Sequence, residues 1–77
     1  MPEASIHDVR PRAQTALASS PIFELRDLRV DQENAALLIS GSVSSFYHKQ
    51  LAQEVVRAVC RECKNFEIEV INSIRVR

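Results

Sequence analysis

A chain of 77 residues with 45% hydrophobic and 26% charged side chains is one small globular domain, not a disordered segment. Ten basic and ten acidic residues cancel, which disfavours nucleic acid as a partner, because phosphate backbones select a basic excess or patch. There is no apolar run of about 18 residues, and the start "MPEASIHDVRPR" has neither a basic n-region nor an apolar h-region. The expectation is a cytoplasmic chain with reduced cysteines, at most peripheral to a membrane.

Residues 1–7 read as a flexible tail, leaving residues 8–77 as the domain. Asp8 is a candidate N-cap, which would put Pro11 in the first helical turn, where a missing N–H costs nothing. Val9, Ala13, Ala16, Leu17 and Ser20 recur at helical spacing until "SSP" stops the helix. From Arg26 to Gln32 the chain alternates as a half-buried strand, with Leu28 and Val30 facing inward. "QEN" supplies a turn in which Asn34 is best suited to a left-handed conformation. "AALLISGSV" forms the antiparallel partner strand, with Leu37, Ile39, Gly41 and Val43 on one face.

Ser44 or Ser45 caps a second helix that runs to about Cys63, with Leu51, Ala52, Val55 and Val59 as its apolar stripe and Val56 at the edge. The last segment alternates most regularly: Phe66, Ile68, Val70, Asn72, Ile74 and Val76 face one way. The order αββαβ implies an α+β fold, a three-stranded mixed sheet with two helices packed on one face. The expected core is Leu17, Leu28, Val30, Leu37, Ile39, Leu51, Val55, Val59, Ile68, Val70 and Ile74. Gly41 is the chain's only glycine, on the inward face where a side chain would meet a helix backbone, so its expected role is close packing.

Four pieces then line up in order: Ala16-Leu17, Ile39-Ser40-Gly41-Ser42-Val43, Ala52, and Val70-Ile71-Asn72-Ser73-Ile74-Arg75-Val76, all at workable spacing. This pattern resembles the BON (bacterial OsmY and nodulation) domain over residues 9–77, in a single-domain form. The resemblance implies a BON-like sandwich in which Gly41, Ala52 and Asn72 are structural. It also implies a non-catalytic module that binds phospholipid surfaces or hydrophobic ligands. Asn34 and "CKNF" stand where the family tends to place glycine.

No cluster reads as an active site, so no catalytic residue, cofactor or metal ligand is assigned. "CRECK" offers Cys60 and Cys63, but at a helix C-terminus, where the dipole opposes a thiolate, and zinc would need two further ligands. Inert thiols are the expectation. His48 lies near the apolar stripe without a recognisable catalytic partner. Phe46 and Tyr47 beside Lys49 are the candidates for a lipid-surface anchor, with Arg57 and Lys64 attracting anionic headgroups. The alternative is protein interaction or self-assembly, including a homo-oligomer, through the open sheet face, where Leu38 and Ile71 are the only large apolar residues, or through a sheet edge.

Overall fold

In the computed structural model, which describes residues 5–65 and 67–77, two helices share one core with a three-stranded mixed sheet. The elements are α1 (Ile6–Ala18), a 3-10 turn (Phe23–Leu25), β1 (Arg29–Glu33), β2 (Ala36–Ser40), β3 (Ser42–Val43), α2 (Phe46–Glu62), β4 (Glu69–Asn72) and β5 (Arg75–Val76). The fold is α+β, as the alternation and helical spacing imply. Phe66, expected at the start of the last strand, and residues 1–4 of the expected tail lie outside the described residues.

Helix α1 begins earlier than expected. Ser5, not Asp8, is the capping residue: its carbonyl accepts from the amides of Asp8 (2.9 Å) and Val9 (3.1 Å), and its Oγ donates to Asp8 Oδ2 (3.0 Å). The physical reason is Ile6, which packs against the core and extends the buried stripe Val9, Ala13, Leu17 by a turn. Ile6 and His7 are therefore helical rather than part of a tail. Pro11 consequently lies inside the helix and forfeits the bond its amide would give to His7, a cost the apolar stripe has to offset.

β1 and β2 form the antiparallel hairpin, with Val30 opposite Ile39 and Gln32 opposite Leu37. Asn34 takes φ 55° in its turn, the left-handed geometry that favours asparagine. β1 starts at Arg29 rather than Arg26, because Phe23–Leu25 wind into the 3-10 turn and bury Leu25 completely.

β2 pairs in parallel with β4, and β3 with β5. Both long expected strands are interrupted, at Gly41 and at Ser73–Ile74, yet the register survives: Leu37 faces Val70 before the break and Val43 faces Val76 after it. Gly41 adopts φ 129°, and a Cβ there would lie 2.7 Å from Leu28 Cδ2. The close approach is thus to Leu28, just ahead of β1, and not to a helix backbone as the sequence suggested; Gly41 itself is exposed.

The helical stripe of α2 is also rotated from expectation. Ala52, Val56, Val59 and Cys60 are buried, with Cys63 just beyond, while Leu51 and Val55 flank the core only partly buried. Ile68 and Val70 likewise pack against its edge. On the opposite sheet face, Leu38 stands directly beside Ile71, next to Asp31.

Candidate functional site

The first turn of α2 is built from its cap outward. Ser45 is extended (φ −150°, ψ 156°), and its Oγ accepts from the His48 amide at 3.2 Å. This fixes the direction in which the next residues leave the helix. Phe46 and Tyr47 are then turned to solvent, 75% and 69% exposed, with the Tyr47 ring tilted against that of His48 at 5.6 Å.

A third aromatic joins this end. Because Leu25 is buried, the 3-10 turn holds Phe23 outward at 74% exposure, with the Arg26 guanidinium 5.9 Å from the ring centroid. Between them, Glu24 reaches the start of α2. Its carboxylate accepts from the Ser44 amide (2.7 Å) and Ser44 Oγ, and also pairs with His48 Nδ1 (2.8 Å) and Arg77 Nη2 (2.9 Å). One carboxylate thus ties together the 3-10 turn, the α2 N-terminus and the chain's last residue. The hydrogen bond from the Ser44 side chain holds the Glu24 carboxyl below the usual range; the Ser44 amide and the charges of His48 and Arg77 act in the same sense, against partial burial.

The grouping of serine, histidine and glutamate does not make a catalytic relay. Ser45 Oγ lies 3.0 Å from His48 Nδ1, the same nitrogen that Glu24 engages, whereas a nucleophile–base–acid relay uses both ring nitrogens. What this arrangement does is fasten three exposed rings to one end of the molecule.

The anchor residues expected from sequence divide between two places. Phe46, Tyr47 and Lys49 belong to this aromatic end, although Lys49 is only half-exposed and its carbonyl accepts from Asn72 Nδ2 (2.9 Å). Arg57 lies eleven residues beyond Phe46 along α2, about 16 Å at 1.5 Å per residue, beside Arg61 and β4. Lys64 is past the helix end, at φ 56°, in a Schellman closure where Asn65 donates to the Cys60 carbonyl and Lys64 to that of Arg61, each at 3.0 Å. Sequence reasoning missed Phe23, Glu24 and Arg77. The only signal was the aromatic in "SSPIFELRD", which is too short for any period to declare its structure.

The residues assigned structural roles occupy positions that bear on packing. Ala52 is fully buried, and the Asn72 side chain bridges β4 to Lys49 and to Gln53 Oε1 (3.1 Å) while accepting from the Ile74 amide (3.2 Å). Cys60 and Cys63 are buried free thiols. Burial, and then the neighbouring Cys63, push the Cys60 thiol up, and Cys63 Sγ accepts from Arg12 Nη1 at 3.2 Å. Among the described residues no three His, Cys, Asp or Glu side chains gather as metal ligands, and no helix is long and apolar enough to cross a membrane.

Compared with protein-family models and with curated proteins, the sequence returns no match.

Proposed function

We propose that this domain is a non-catalytic attachment module that docks its aromatic end onto anionic phospholipid surfaces, the activity its resemblance to BON domains implies. One observation carries the reading: Phe23, Phe46 and Tyr47 are each about 70% exposed or more and belong to a single end of the fold, held by the Glu24 node. Large rings left in water at one end are the kind of surface that inserts at a headgroup boundary. Arg26 beside Phe23 and Lys49 in the first turn of α2 supply the cations, each near a surface adding about 1 kcal/mol of attraction to anionic lipid, while Arg77 is already paired with Glu24. Arg57 and Lys64 contribute less than the sequence suggested, because they lie toward the other end of α2.

Vesicle co-sedimentation tests this. Binding to anionic vesicles at low salt is expected, weaker at moderate salt, absent with zwitterionic vesicles, and reduced about tenfold by Phe23→Ala or Phe46→Ala with the fold intact. A stable dimer in light scattering, with no vesicle binding at low salt, would overturn the reading in favour of self-assembly through the Leu38–Ile71 face.

A further inference from the structure

An exposed sheet edge presents unpaired amides and carbonyls, and the two edges of this sheet are treated differently. Along β1, side chains of α1 close the edge. Gln14 Nε2 donates to the Leu28 carbonyl and Gln14 Oε1 accepts from the Val30 amide, each at 2.8 Å, while Arg10 Nη1 donates to the Val30 carbonyl at 3.2 Å. The glutamine amide imitates a further strand.

No such cover meets β4 among the described residues. Glu69 donates to the Ala35 carbonyl and Ser73 to that of Ile39, so the odd-numbered residues bond to β2. In a parallel ladder the amides of Val70 and Asn72 then point away from the sheet. Beside this edge, α2 and β4 leave a groove of about 360 Å³ whose walls include Cys60, Ile68 and Val70. Asn72 closes one end by clamping Lys49 and Gln53. Along the helical wall stand Arg57 and Arg61, one helical turn apart, and neither forms an ion pair among the described residues; Asn65 and Glu69 also line the groove. Two like charges at that spacing repel, and a carboxylate between them relieves the repulsion.

We infer that this edge is the acceptor for an extended acidic segment of a protein partner, which adds as a strand beside β4 and lays its carboxylates against Arg57 and Arg61. Backbone hydrogen bonds to Val70 and Asn72 supply the general affinity, and the arginines supply the selection. Alternation sets a finer rule. Glu69 and Ile71 belong to the opposite sheet face, so the segment's acidic residues must fall on the α2 side, and its outward positions suit apolar side chains. The inference is independent of lipid attachment, which uses the other end of α2.

The test is an amide-resolved NMR titration with a short peptide alternating glutamate and valine, against its lysine–valine counterpart. Shifts confined to residues 57–61 and 68–72 are expected with the acidic peptide and none with the basic one. Arg57→Gln with Arg61→Gln, both on the exposed surface, should weaken binding at least about tenfold. Val70→Pro should abolish it, because it removes an outward amide that an edge strand can spare. Phe23→Ala and Phe46→Ala should leave it unchanged. No shifts up to about 1 mM peptide, equal binding of the lysine peptide, undiminished binding by the double arginine variant, or a concentration-dependent dimer that occupies residues 68–72 would each overturn the inference.

Discussion

The two ends of α2 balance their charges in opposite ways. At the N-terminal end one carboxylate, Glu24, gathers Ser44, His48 and Arg77, and the large apolar side chains left facing water are the rings of Phe23, Phe46 and Tyr47. Toward the C-terminal end the apolar groups Val59, Cys60 and Cys63 are buried, and the exposed side chains include Arg57 and Arg61, without ion partners among the described residues, beside Glu62 and Lys64. A single helix in a chain of zero net charge thereby offers two chemically distinct surfaces. Net charge averages them away, so it could not disclose either.

The sharpest way to break this comparison is to remove what holds Phe23 and Glu24 in place. Leu25 is fully buried, and Leu25→Ala should cost about 2–5 kcal/mol and release the 3-10 turn from α2. The denaturation midpoint measures the loss, and vesicle binding should weaken while the acidic-peptide site, if still folded, is retained. Next comes Gly41→Val, which acts where the sheet hands over to the aromatic end. Its φ of 129° disfavours any Cβ, and Leu28 Cδ2 at 2.7 Å must also move, so a loss of about 1–3 kcal/mol is expected. An unchanged midpoint would contradict both causes.

A smaller effect should come from Glu24→Gln, and it should depend on pH. The folded carboxyl is held below its ordinary value, so its stabilisation is complete above that value, about 4.3, and is lost as pH falls through it toward the folded one. Wild type should therefore exceed the variant in stability at neutral pH, and the gap should close as pH falls through the ordinary carboxyl range and below it. Parallel stability curves would mean that the Glu24 node does not act as an ionised group.

Much of the fold was legible in the sequence because it rests on period. Val30, Leu37, Ile39 and Ile74 alternate into the core, and Asn34 provides the turn. Other features were hidden for definite reasons. The α2 stripe centres on Val56 and not on Leu51 or Val55, since α1 packs beside α2 and draws its buried face round. Arg12 meets Cys63 across 51 positions of sequence, and Glu24 meets Arg77 across 53, separations at which no local pattern operates. Phe46 could be singled out as an outward-facing ring from its helical angle, whereas Tyr47, which that angle turns towards the edge of the apolar stripe, is in fact 69% exposed. Phe23 could not, because the direction of its ring depends on the burial of Leu25 two residues later.

The most direct measurement is amide hydrogen exchange of the domain with and without anionic vesicles. Added protection limited to the 3-10 turn and the first turn of α2, residues 22–26 and 44–49, is the predicted result, with residues 57–61 and 68–72 exchanging as they do in solution. Protection spread along the Arg57–Arg61 flank and β4, or no protection at all, would contradict attachment through the aromatic end.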